Sequence, residues 1–328
     1  MKAVYIKSFG GPENLEIREV PDPPKPTGSQ VLIRVKAAGL NRADLLQRRG
    51  HYPPPPGYSP NIPGLEFAGD LAEIGDDVAG WKTGDRVFGI TAGEAQAEFL
   101  MIESSLLARI PENLTFKEAA AIPEAYITAH DAVFTQGKLK SGEMLLVHAV
   151  GSGVGLAAIQ LARAFGATTV GTSRTADKLD RSKEFGLDEA ILTGESAEFS
   201  TILKTKTSGR GVDVILDLVG AAYFRENLES LATKGRLMLV GLTSGTLADI
   251  DLTVALHKRL TIIGTVLRGR STEEKAEATR RFSEEVIPLL ANGKVRPNVD
   301  KVYPAESVGE AHAYLESNNS FGKVILEF

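Results

Sequence analysis

A short apolar run, a glycine-studded turn and a small-residue helix succeed one another in Glu143–Gln160, EMLLVHAVGSGVGLAAIQ. Met144–Val150 has the length and β-branched content of a fully buried strand. Gly151, Gly153 and Gly155 allow a sharp turn, a close approach of backbone N–H groups to an anion, and tight helix–sheet packing. Leu156, Ile159, Leu161 and Ala162 continue at helical spacing, so the positive end of that helix would face a phosphate. The spacing Gly-Ser-Gly-Val-Gly is not the full G-x-G-x-x-G fingerprint, and an ordinary tight strand–helix turn would look similar. The next stretch of chain favours the ligand-binding reading. Phe165-Gly166-Ala167 closes the helix with a C-terminal glycine, and a second apolar strand, Thr168–Thr172, begins there. This is a βαβ unit of the length that holds a dinucleotide, with Gly151, Ser152, Gly153 and Val154 against the pyrophosphate.

The tip of the second strand selects the cofactor. An acid there would accept from a ribose 2′-hydroxyl, whereas a cation would pair with a 2′-phosphate. The strand runs into Ser173, Arg174 and Thr175, with Lys178 one turn later and no acid at the tip. Asp177 belongs to the first helical turn, where the helix dipole favours it. A solvated helix start is the plain alternative for Arg174 and Lys178. Their position predicts a 2′-phosphate site, and so NADPH before NADH.

With 328 residues, the chain is too long for one core and comfortable for two domains. A net charge of −5 argues against a protein that tracks nucleic-acid phosphates. The opening MKAVYIKSFGG has no apolar stretch of signal or membrane-spanning length, so no membrane association is expected. The absence of cysteine excludes disulfides, thiolate catalysis and cysteine zinc sites, and points to the cytoplasm. The five histidines (His51, His130, His148, His257 and His312) form no i,i+4 metal pair, and His148 reads as a satisfied buried histidine. No metal site is expected.

The first part reads as short strands punctuated by Gly and Pro: Ala3–Ile6, Leu15–Val20, Val31–Ala38, Gly64–Ile74, and a turn at 84–89 into another. A short helix is predicted over Leu40–Gln47, followed by the proline-rich loop Tyr52–Pro63. The texture suggests a small barrel-like β domain. Helices are predicted at Lys117–Ala121 and Tyr126–Phe134. Strands at 144–150, 168–172, 190–192, 212–217, 236–241 and 260–264 then alternate with helices, the pattern of a doubly wound parallel α/β sheet. The tail predicts one long amphipathic helix (Glu273–Ala291), strand Asp300–Tyr303, helix Ser307–Leu315 and strand Lys323–Glu327, returning to complete the first domain. The expected domains are 1–124 with 267–328, and 125–266.

Several motifs then stand in order: GGPENL at 10–15, LNRADLLQRRG at 40–50, YPPPPG at 52–57, GLEFAG at 64–69, AAAIPEAYITA at 119–129, VHAVGSGVGLAAIQLAR at 147–163, LATKGRLMLVG at 231–241 and FGKVILE at 321–327. With these the chain resembles the medium-chain dehydrogenase/reductase superfamily, in its zinc-free quinone oxidoreductase (zeta-crystallin-like) branch. It is most similar to the tumour-suppressor-induced quinone oxidoreductases and their bacterial relatives. The resemblance implies a Rossmann NADP-binding domain plus a β-rich GroES-like catalytic domain formed by both chain ends. The branch usually shows Ala-x-x-Gly-x-x-Gly at the cofactor turn, and Ser152 departs from it. Zinc-dependent relatives carry a cysteine near Arg42 or Ala43 and a histidine where Leu65 stands, and both ligands are absent.

In the resemblance, Asn41, Asp44 and Tyr52 line a catalytic cleft between the domains, and Thr128 lies near the nicotinamide, with Asn41 and Thr128 also touching the cofactor. N-capping is the ordinary reading of Asn41 and Asp44, and the two roles are compatible. For Tyr52 the plain alternative is rim packing; for Thr128, a hydroxyl bonded back to its own helical turn. Glu66 reads equally as a cleft-orienting acid or as half of a structural salt bridge. Gly241, Leu242 and Thr243 should form a lip over the nicotinamide, Gly264 and Thr265 sit at the crossover, and Asn318 or Asn319 would reach the diphosphate. Arg268 reads as solvent-facing ahead of cofactor contact. The activity implied is metal-free NADPH-dependent reduction of a quinone, by hydride or by single electrons. No strong general acid stands out, so a forgiving acceptor that takes its proton from water is expected. Reduction of conjugated alkenes is the near alternative; a noncatalytic structural or RNA-binding role is the distant one, and the acidic charge disfavours RNA. The family commonly forms homodimers edge to edge near Thr261–Thr265.

Overall fold

A computed structural model describes residues 1–194 and 198–328. The chain folds into two units, Met1–Ile127 with Leu267–Phe328, and Thr128–Val266.

The first unit begins with the antiparallel pair β1 (Lys2–Ile6) and β2 (Leu15–Glu19). Its main sheet uses β3 (Gln30–Leu40), β4 (Glu66–Ile74), β5 (Arg86–Ile90), β6 (Phe99–Glu103) and β7 (Leu107–Arg109). The second unit contributes β8 (Met144–Val147), β9 (Thr168–Ser173), β10 (Glu189–Leu192), β11 (Val212–Asp217), β12 (Leu231–Leu239) and β13 (Thr261–Gly264). The chain then returns to the first unit through β14 (Val299–Pro304) and β15 (Lys323–Glu327).

The sheet of the second unit is parallel throughout, in the order β10-β9-β8-β11-β12-β13. Such a sheet buries both faces, which explains why Val212–Asp217 is buried along its whole length. Leu146, Val170, Ile191, Ile215 and Leu237 form its core with Phe199 and Leu203. The order reverses at β8 and β11, and in open α/β sheets ligands bind at that switch point.

The sheet of the first unit runs β14-β15-β3-β4-β5-β7, with β6 also on β3. β15 lies antiparallel to β3, with Val324 opposite Leu40. This register carries Lys323 to the end of β3, beside Asn41. The alternating apolar residues Val31, Ile33 and Val35 pack on Phe67, Leu71 and Val87.

Several expected elements need correction. β8 stops at Val147 rather than 150 because Ala149 takes a left-handed φ of 49°, which no strand accommodates. β3 runs through Leu40, and the helix predicted from that residue starts at Arg42. The single tail helix is two, Thr272–Glu285 and Ile287–Ala291. Pro288, which cannot donate a backbone hydrogen bond, stands in the first turn of the second and forces the break at Val286. The 126–134 helix is a one-turn α segment (Thr128–His130) between two π-helical segments, Pro123–Ile127 and Asp131–Gln136. β6 and β7 have no counterpart among the predicted strands.

Candidate functional site

In the second unit the turn after β8 opens the helix Gly153–Ala164. Ser152 is its N-cap, and its hydroxyl accepts from Gly155 N–H at 3.1 Å. The Gly153 and Val154 N–H groups have no acceptor among the described residues, so two donors at a helix N-terminus point outward. A Cβ on Gly155 would stand 2.5 Å from Val150 O, so only glycine lets the helix lie this close to the strand. Open donors, a positive helix end and a tight glycine packing are what a diphosphate requires.

A buried network holds the switch point. His148 Nε2 meets Asn227 Oδ1 at 2.6 Å and its Nδ1 meets Thr172 Oγ1 at 2.8 Å. Asn227 Nδ2 donates to Asp217 Oδ2 at 3.0 Å, and Asp217 Oδ1 accepts from the Val219 and Gly220 N–H groups at 2.7 and 3.0 Å. Burial pushes the His148 pKa down, and the Asn227 amide oxygen, which can only accept, places a ring proton on Nε2. The network ties together the ends of β8, β9 and β11, as the sequence reading of a satisfied histidine implies.

Arg174 stands exposed just past β9, and Lys178 is half-buried in the first turn of the helix Ala176–Lys183. Ser173 is buried, its hydroxyl accepting from Thr175 N–H at 3.2 Å. After β12, Gly241 packs against Leu218, where a Cβ would meet Leu218 O at 2.8 Å. Leu242 is exposed, and Thr243 donates to Leu218 O at 3.2 Å. Gly264 ends β13, and Thr265 Oγ1 accepts from Gln136 at 2.8 Å. Thr128 is buried between the two π-helical segments.

The first unit concentrates charge. Asn41 caps the helix Arg42–Arg48, and its backbone N–H donates to Asp44 Oδ2 at 2.7 Å. Asp44 is fully buried, and its other oxygen accepts from Gly64 N–H at 3.1 Å. The Asn41 amide donates to Glu66 Oε1 at 2.8 Å and accepts from Lys323 Nζ at 2.7 Å. Lys323 also donates to Leu40 O at 2.7 Å and pairs with Glu66 at 2.5 Å, with Glu66 fully buried. Of the two readings of Glu66, the salt bridge is present, and the same carboxylate orients Asn41. Gly39 makes room for it, since a Cβ there would collide with Glu66 Oε1.

Tyr52 is held from behind. Arg268 lies 4.8 Å from its ring centre, a cation–π distance, and donates to Tyr52 O at 2.8 Å. Arg268 is buried rather than solvent-facing; it also donates to Ala92 O at 2.8 Å and to Gln47 Oε1 at 2.5 Å. Three segments of the first unit are thereby tied to one guanidinium. Asn318 lies in the same unit at a left-handed φ of 63°, where Arg42 donates to its Oδ1.

Sequence reasoning missed Glu124, Lys323 and the role of Arg268. Glu124 is half-buried, and its backbone N–H donates to Glu66 Oε2 at 2.8 Å. Burial pushes its pKa up to about 8, and Glu66 beside it adds to the rise. Burial likewise raises Asp44 to about 6, against the hydrogen bond from Asn41 and the cations Lys323 and Arg268. One signal was in view: Glu124 is the only acid in the otherwise apolar and proline-containing run 119–127.

Comparison with known proteins places this geometry. The alcohol dehydrogenase GroES-like domain family matches residues 27–129, and the zinc-binding dehydrogenase family matches 153–284. The human quinone oxidoreductase is 33% identical over 99% of this chain and 97% of its own length. The Escherichia coli quinone oxidoreductase, solved as a complex with NADPH, is 31% identical with a TM-score of 0.90, covering 100% of both chains. A mycobacterial protein, Rv1454c, also solved with NADPH, is 30% identical with a TM-score of 0.90 over 100% of both chains.

Proposed function

The chain belongs to the medium-chain dehydrogenase/reductase superfamily, alongside the quinone oxidoreductases, and from that premise we propose that it reduces quinones with NADPH and without a metal. One observation carries the cofactor: two open N–H donors at Gly153 and Val154, one βαβ unit away from Arg174 and Lys178. The first pair suits a diphosphate; the second suits a 2′-phosphate. Bound NADPH supplies a hydride from nicotinamide C4 to the acceptor.

The chain's own residues bind and orient. The amides of 153 and 154 and the helix N-terminus hold the diphosphate, while Gly241, Leu242, Thr243, Gly264 and Thr265 lie at carboxyl ends of parallel strands, where such sheets take ligands. Tyr52 offers a flat acceptor a stacking face, and its hydroxyl has no partner among the described residues. Asn41 and Asp44 have their polar atoms engaged within the first unit, and so position the start of their helix. The donor set supports the metal-free reading. The chain has no cysteine, and the Glu66 carboxylate is already held by Lys323, Asn41 and the Glu124 N–H. The same reading carries a cytoplasmic homodimer joined at the β13 edge, where Ile262 is exposed.

The test is a paired substitution. Arg174→Ala with Lys178→Ala should weaken NADPH binding by about ten- to a hundredfold, since charge-assisted contacts to phosphate are lost. NADH affinity should move by no more than about twofold. Fluorescence titration with both dinucleotides reads this directly, and equal losses for the two would discard the 2′-phosphate assignment. Turnover of NADPH with a quinone series completes the check on the reaction.

A further inference from the structure

The charged cluster of the first unit contains three carboxyl groups, and only one is left without a partner among the described residues. Asp44 accepts from Asn41 and Gly64 N–H groups, and Glu66 accepts from Lys323, Asn41 and the Glu124 N–H. The Glu124 carboxyl accepts no hydrogen bond among the described residues. Two of the nearby cations are already committed. Lys323 directs its three donors at Leu40 O, Asn41 Oδ1 and Glu66 Oε1. Arg268 uses each guanidinium nitrogen on Ala92 O, Tyr52 O or Gln47 Oε1.

Burial, with the Glu66 and Asp44 carboxyl groups beside it and against the cations Lys323 and Arg268, raises this carboxyl to about 8, so it keeps its proton at neutral pH. The groups facing it come from every packed element: Asp44 from the helix Arg42–Arg48, Tyr52 from the following loop, Glu66 from β4, Arg268 and Lys275 from the segment after residue 266, and Lys323 from β15. Unlike Asp44 and Glu66, Glu124 is not sealed: it retains partial exposure, so its proton can be exchanged. It also sits in a π-helical segment, Pro123–Ile127, a local irregularity that often marks functional positions.

We propose that Glu124 is the proton donor of the reduction, giving its carboxylic proton to the acceptor oxygen as that oxygen gains charge. This rests on the reductase reading above. In balance, the hydride adds two electrons to the quinone and NADPH becomes NADP⁺. The O–H bond of Glu124 breaks, an O–H bond forms on the acceptor, and the Glu124 carboxylate regains a proton from water through its open side. The net reaction is quinone plus NADPH plus a proton giving hydroquinone plus NADP⁺. Water is thus the ultimate proton source, but not the group that delivers it.

Because Glu124 holds its proton to about pH 8, the wild-type kcat with a quinone should fall as pH rises through that value. Glu124→Gln, which keeps the shape and removes the proton, should lower kcat by about a hundredfold and abolish that limb of the profile. NADPH affinity, read by fluorescence, should stay within about twofold. Infrared titration of the intact protein gives a readout that needs no turnover: a protonated-carboxyl band lost as pH passes about 8 in wild type, and missing in Glu124→Gln. If Glu124→Gln retains wild-type kcat with the same pH profile, or the band difference is absent, the proton-donor assignment falls while the reductase reading stands. If the wild type neither binds NADPH nor turns over a quinone, the reductase reading falls and takes this proposal with it.

Discussion

Lys323→Met should destabilise the first unit by about 3–5 kcal/mol, the range for removing one partner of a buried ion pair. The geometry explains why the loss is large. The Lys323 and Glu66 side chains are 6% and 0% exposed, and the ammonium makes all three of its contacts inside the fold. Removing it leaves the Glu66 carboxylate buried beside Asp44 with no formal counter-charge in direct contact. Asn41 Oδ1 loses its donor, and so does Leu40 O at the end of β3. Chemical denaturation followed by circular dichroism measures the change. The double variant Lys323→Met with Glu66→Gln should recover most of the loss, because a buried pair replaced by neutral groups often costs little. A single-variant loss below about 1 kcal/mol, the scale of a surface ion pair, would contradict the buried-pair account.

The second large effect is a pH dependence from His312. This residue is fully buried on the helix Val308–Glu316, and neither ring nitrogen has a hydrogen-bond partner among the described residues. Burial, with the Arg48 guanidinium nearby, pushes its pKa down from 6.5 to about 3. A folded-state pKa below the unfolded one means that the unfolded chain binds the proton first. The stability due to this group is therefore complete above pH 6.5 and is lost as pH falls from there toward about 3. Within that window the loss from His312 alone approaches about 1.4 kcal/mol per pH unit. His312→Leu should flatten this slope and leave stability at pH 7 equal or higher, since an unsatisfied polar ring gives way to an apolar side chain. Urea midpoints at pH 7, 6 and 5 for both proteins read the difference. Parallel curves for wild type and variant would show that His312 does not titrate on unfolding.

The parts of the fold set by local chemistry were legible in the sequence. The βαβ unit could be read because parallel strands must be apolar along their length and because the turn needs glycine at Gly155. Two further strands, Val212–Asp217 and Lys323–Glu327, coincide with the predicted limits. The break at Val286 was also visible in principle, since Pro288 stands in the predicted helix and cannot donate within it. The end of β8 was not, because an alanine at positive φ carries no sequence mark.

The charged cluster lay beyond local reasoning for a different reason. Lys323 and Asn41 are joined by the antiparallel register of β15 on β3, a pairing across most of the chain. Arg268 belongs to the segment after the second unit, yet it anchors Tyr52 and Gln47. Nothing in the spacing of these residues announces that they meet. Glu66 and Asn41 could be singled out by motif, but whether Glu66 was paired depended on the far end of the sequence. Glu124 stood in plain view inside the motif at 119–129; its meaning came only from the lack of any partner for its carboxyl among the described residues.

The central claim is that the turn from Gly151 to Gly155 holds a phosphorylated nicotinamide dinucleotide, and calorimetric titration tests it most directly. The account predicts that the wild-type protein binds NADPH at one site per chain, with clearly higher affinity than NADH. It further predicts that Gly155→Val, whose Cβ would be forced against Val150 O, abolishes the heat of binding. No heat with NADPH in the wild type, or equal affinity for the two dinucleotides, would contradict it.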